Sequence, residues 1–198
     1  MSGTVGDNIA RASGVIASAA GGGVWTLIST QTASGDTEID FTTLSSDYLD
    51  FRVTGSGIRQ SDDAQTLNIR LFDATPTIIT AGDYVFGFTG YDSDSNIKSN
   101  AAQPDSSWIN AAPTWSWGNE TASSMWFEAT FSNFHDTDLY TNFWCTTIFR
   151  TDNSPERAQP TSGGGILNQA QTIGGIRFYP GAGTLEVGEF TLYGRKIT

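Results

Sequence analysis

A chain of 198 residues and 21.2 kDa is long enough to bury one sizeable core, and 22 glycines, 12% aromatics and only 16% charged residues suit many short strands joined by tight turns. Ten basic residues against 21 acids give a net charge of -11, which lacks the basic footprint that nucleic acid or anionic lipid would require, so neither is expected as a partner. A single cysteine, Cys145, and a single histidine, His135, leave no internal disulfide framework and no multi-histidine metal site, and no window of about 20 apolar residues could insert into a bilayer.

Residues 1–23, MSGTVGDNIARASGVIASAAGGG, are rich in Ala, Gly and Ser and end on three glycines. They read as an N-terminal extended arm and hinge. The arm has two readings: a loose terminus, or a segment ordered against a partner through Val5, Ile9, Val15 and Ile16. Asp7 precedes Arg11 and no long apolar core follows, so no secretory leader is read here. Residues 24–198 read as one domain.

From Trp25 the dominant period is two. TEIDFT sets Ile39 and Phe41 on one face. YLDFRV sends Leu49, Phe51 and Val53 inward and Asp50 and Arg52 outward, and TLNIRLF does the same with Leu67, Ile69 and Leu71 against Asn68 and Arg70. DYVFGFTG aligns Tyr84, Phe86 and Phe88. Residues 92–113 then turn polar and read as a loop too long for a hairpin. SMWFEATF and LYTNFWCTTIFR read as two aromatic strands joined by a turn at SNFHDTD, which holds His135, while Cys145 reads as a small buried residue. TDNSPERAQPTSGGG reads as a second polar loop, and GGIRFYP as a strand with Ile176 and Phe178 inward.

In the closing segment the parity changes, Leu185 and Val187 being odd and Phe190 and Leu192 even. Either a bulge sits at Gly188 or residues 185–187 are a connection over the core. The second is expected, with the final strand starting at Glu189. The sum is an all-β protein without helices, an antiparallel two-sheet jelly-roll β-sandwich of eight to ten strands with its first and last strands as neighbours.

Taken in order, LISTQTASGDTEIDFTTLSSDYLDFRV, TLNIRLFD, AGDYVFGFTGY and GGIRFYPGAGTLEVGEFTLYGRK resemble a group of tailed-bacteriophage structural proteins, the jelly-roll domains of tail fibres and tail tips. The resemblance covers residues 25–198 and is strongest at the two ends. Residues 92–122 match in little but length. It implies a non-enzymatic building block located in the virion, repeated by symmetry, with a homotrimer favoured, other virion proteins as partners, and exposed loops available for viral attachment to host-surface glycans. A capsid decoration protein is the close alternative. A free carbohydrate-binding module is the alternative of another class.

Two stretches carry candidate sites. Asp92, Asp94 and Asn96 alternate as oxygen ligands do in calcium loops, yet Ile97 stands where such loops turn on Gly and Gln103 where they close with Glu, so an Asx-rich turn is the plainer reading and calcium the lesser one. Trp108, Trp115 and Trp117 occupy the least regular part of the chain, with Tyr91 just before it. Flat aromatic faces stack on sugars, pack at subunit interfaces or plug the end of a sandwich, and all three roles stay open for these four residues. Glu120, Glu128, Asp136 and Asp138 are the acids a glycosidase would use in pairs, but no motif pairs them. The chain also has no G-x-S-x-G elbow and no phosphate loop with its Lys, so no enzyme is expected.

Overall fold

The computed structural model describes residues 23–80, 82–91, 97–111, 117–120, 123–150 and 158–196, and of 97–105 the strand alone. Residues 1–22 of the expected arm lie outside this set. Among the described residues the chain forms twelve strands and no helix: β1 (Trp25–Ala33), β2 (Ile39–Phe41), β3 (Asp50–Gln60), β4 (Leu67–Asp73), β5 (Tyr84–Tyr91), β6 (Ile97–Ser106), β7 (Ile109–Asn110), β8 (Met125–Ser132), β9 (Asn142–Arg150), β10 (Ala158–Leu167), β11 (Ile173–Pro180) and β12 (Leu185–Arg195).

These strands make two packed antiparallel sheets. The larger runs β1-β12-β3-β8-β9-β10-β5-β6 and the smaller β2-β11-β4-β7. The pairs are nested along the chain: β1 with β12, β2 with β11, β3 with β8 and β4 with β7. The first and last strands are therefore neighbours, as expected, and β12 lies between β1 and β3 rather than at an edge.

Period-two alternation decides which side chains meet between the sheets. Ile39, Phe41, Phe51, Val53, Leu67, Ile69, Leu71, Phe86, Phe88, Ile176 and Phe178 are all buried on the expected face. Phe127 of β8 holds the layers together, stacked on Phe178 of the small sheet at 5.1 Å between ring centroids and tilted on Phe190 at 5.7 Å. Burial of one such ring is worth about 1.5–3 kcal/mol. Tyr84 adds a polar tie between the sheets: its hydroxyl accepts from the Leu71 N–H at 2.9 Å and donates to the Ile79 carbonyl at 3.2 Å, and burial raises its phenol pKa above the ordinary value.

Several expectations are corrected. The polar stretch from residue 92 contains β6, which closes a hairpin on β5 (Thr89↔Ser99, Gly90↔Lys98, Tyr91↔Ile97). The second expected loop contains β10, a full strand between β9 and β5. Its apolar alternation is weak because its inner positions are small: a Cβ on Gly163 would stand 2.6 Å from the Phe88 backbone, so Gly lets the two strands approach. At the C-terminal end the bulge wins over the connection. β12 is one strand from Leu185, with register shifts between Leu185 and Val187 and between Val187 and Glu189, and Gly188 takes φ +138° at the break. Asp50 and Asn68 lie opposite the inward residues, as alternation requires, yet both are buried, because Arg195 covers the first and Thr66 Oγ1 bonds the second at 3.1 Å.

Candidate functional site

Strand parity also sets what the outside of the large sheet carries. On β9, Phe143, Cys145, Thr147 and Phe149 point inward, which forces Trp144, Thr146 and Ile148 outward. Trp144 is 58% exposed, Ile148 45% and Trp126 of β8 41%, high values for large apolar side chains on central strands of a sheet. Trp126 stands directly opposite Ile148, and Trp144 opposite Thr130. Between these two levels runs a polar row, Thr54, Glu128, Thr146 and Ser162, registered across four strands.

Toward β10 and β5 the face sinks into a trough of about 590 Å³ bordered by Trp144, Asn142, Ser162 and Thr89, with Gly164 and Gly87 on its floor. Trp144, Gly164 and Gly87 are successive partners across three strands. A Cβ on Gly164 would meet Trp144 Cε3 at 2.9 Å, so the indole stands against that glycine and uses the space its missing side chain leaves. A smaller hollow of about 340 Å³ lies beside Trp126 and Ile148, reaching Ser56 and Arg150.

On the other side of the row, the Arg52 guanidinium sits 4.8 Å from the Trp25 ring centroid and 5.1 Å from that of Tyr193, and 4.0 Å from the Glu128 carboxylate. This stack engages the cation with aromatic faces and with the acid beside it. A further concavity of about 410 Å³ opens between β1 and the segment after β2, lined by Ile28, Leu44 and Tyr48, and Gln31 Nε2 bridges it by donating to the Asp40 carbonyl at 2.6 Å.

The residues singled out in the sequence are dispersed. Trp117 is fully buried and its carbonyl accepts from Gln60 Nε2 at 2.9 Å, so its ring is a core element and offers no face to a sugar; this corrects its candidacy. Trp108 is 40% exposed beside the small sheet, with the Arg70 guanidinium 5.8 Å from its ring centroid. Tyr91 is exposed at the end of β5. Among the described residues no ring contact joins these three. Trp115, Asp92, Asp94 and Asn96, and with them the calcium reading, lie outside the described residues.

The acids weighed for hydrolysis are mostly engaged. Glu120 faces Arg150 at 3.5 Å, Glu128 faces Arg52, and Asp136 Oδ1 accepts the N–H groups of Asp138 and Leu139 at 2.8 and 3.0 Å, fixing the β8–β9 turn. His135 Nε2 lies 3.1 Å from the Ser45 carbonyl, packed edge-on against Phe51 and Phe134, and burial lowers its pKa. Burial raises the Cys145 thiol well above its ordinary value, so it stays protonated and unreactive.

The outward Trp126, Trp144 and Ile148 were not singled out from the sequence, although the alternation in NFWCTTIFR contains the signal: the strand buries Phe143 and Phe149, so every even position must face out. Comparison with protein-family models, with curated proteins and with solved structures finds no match for the chain.

Proposed function

We propose that this chain is a non-enzymatic structural protein of a tailed-phage particle, of the tail-fibre or tail-tip kind, which assembles as a homotrimer alongside other virion proteins and contributes to contact with the host surface. The nested pairing carries this reading. Strand orders β1-β12-β3-β8 and β2-β11-β4-β7 support reading the sandwich as a jelly roll of two four-stranded sheets, with β5–β6 and β9–β10 added to one of them. That is the architecture implied by the resemblance of residues 25–198 to virion domains. A fold alone carries no activity, so the order of the resembling pieces and this topology support the reading together.

Light scattering on the purified protein is expected to give three times 21.2 kDa, and mass spectrometry of particles purified from cells that carry the gene is expected to find the chain in them. Removal of residues 1–23 is expected to abolish incorporation while leaving the body folded. Absence of the full chain from particles overturns the virion reading. Labelling on intact particles separates a tail component from a capsid decoration protein by position.

A further inference from the structure

We propose that the outer face of the eight-stranded sheet binds a neutral oligosaccharide across β8, β9 and β10, with Trp144 as the main stacking platform and Trp126, beside Ile148, as the second. This goes beyond the particle reading and does not depend on it, since a sugar-binding face serves a free module equally well.

Three observations converge on this ligand. The first is the placement of the indole. Trp144 is 58% exposed on a central strand and stands beside Gly164, where no side chain competes for its surface, so a large aromatic area is open to a ligand. Sugar rings stack their C–H faces on such a surface, and the side chain loses little entropy because neighbouring strands already hold it.

The second is the chemistry around it. Asn142, Ser162 and Thr89 border the trough and Thr146 continues the row, all of them neutral groups that both donate and accept, as hydroxyl-rich ligands require. Glu128 adds one acceptor, anchored by Arg52. The chain carries -11 overall and no cation stands among the described residues that line the trough, so an acidic saccharide is disfavoured.

The third is length. Ile148, opposite Trp126, is four residues along β9 from Trp144, which puts the two platforms about 13 Å apart along the strand direction at about 3.3 Å per residue. That span exceeds one sugar ring, so the ligand is a chain. A second protein copy fits less well, because two-fold pairing centred on this face would bring the two Glu128 carboxylates together and shut the hydroxyl row away from water.

The test is titration of the full chain with neutral hexasaccharides of glucose, mannose and galactose in their common linkages, followed by tryptophan emission and calorimetry. At least one is expected to bind with a shift in emission. Trp144→Ala is expected to weaken it about tenfold, a loss of about 1.4 kcal/mol, and Trp126→Ala less. Trp144→Phe should retain part of the binding, which separates lost stacking from damage to the sheet, and unfolding midpoints confirm that each variant is folded. Failure of every probe to bind overturns the inference, as does binding that survives in the Trp126→Ala, Trp144→Ala double variant. Loss of oligomeric mass in that variant, without any sugar binding by the parent chain, would make the face a self-interface and also overturn it. Sugar binding by a chain that never enters particles would keep this inference and remove the particle reading.

Discussion

Asp50 and Arg195 are partners of unequal exposure. The carboxylate side chain is 3% exposed and the guanidinium 40%, and they meet through both Nε, at 2.9 Å, and a terminal nitrogen. Removing either partner therefore has different costs. Arg195→Ala strands a buried charge and is expected to cost about 3–5 kcal/mol, whereas Asp50→Ala leaves a cation that water can reach and is expected to cost about 1–3 kcal/mol. Urea unfolding of the two variants checks the order; equal losses would mean that the pair contributes by packing rather than charge. His135 supplies a pH effect of known sign. Burial holds its folded pKa below the ordinary 6.5, so between those two values the unfolded chain binds the extra proton and stability falls as the pH drops. Melting temperatures from pH 8 to 5 are expected to fall less steeply in His135→Gln than in the parent chain. Inward residues such as Phe51, Ile69 and Phe178 were legible from alternation. The burial of Asp50 was not, because it depends on a partner 145 residues away in sequence.

Among the elements, β12 is the most constrained, with hydrogen-bonded neighbours on both sides and a bulge that resets its parity. The break is possible because Gly188 takes a φ that L side chains rarely adopt, and a Cβ there would stand 2.7 Å from the Ile58 backbone. Gly188→Ala is expected to cost about 1–3 kcal/mol or more, seen as a lower unfolding midpoint, with Leu185 and Val187 losing their register. Hydrogen exchange tests the element as a whole: the amides of residues 190–194 should exchange among the slowest in the protein, and those of β1 and β6, the outer strands of the large sheet, sooner by local opening. The elements hardest to read from sequence were β6 and β10. AQPTSGGGIL has almost no apolar alternation, and it is a strand because two neighbours supply its ladder and its glycines let their backbones close in. The candidate face was half legible. Its tryptophans stand in a plainly alternating strand, but the trough beside Trp144 needs glycines from two other strands, and no local pattern links them.

For the whole molecule, the nested pairing joins residues about as far apart as the chain allows: β1 pairs with β12 and β2 with β11. Topologies dominated by such non-local pairs fold slowly, in milliseconds to seconds. Stopped-flow refolding followed by the core tyrosine and tryptophan signal is expected to fall in that range; microsecond refolding would mean that local hairpins such as β8–β9 carry most of the driving force. The charge of -11 acts at the same scale, since copies of the body repel one another at low salt. Any trimer is therefore expected to gain stability as ionic strength rises, which light scattering across a salt series would report.

The position of β12 also bears on how the protein is made. Among the described strands it is the last to leave the ribosome, and until it does β1 lacks its sheet partner and β3 lacks one of its two. The nascent chain can form the β8–β9 and β5–β6 hairpins but cannot close its large sheet, so the body must wait for translation to pass residue 195. A copy terminated before residue 185 is left with open edges on β1 and β3, the kind of strand edge that pairs with other chains and aggregates.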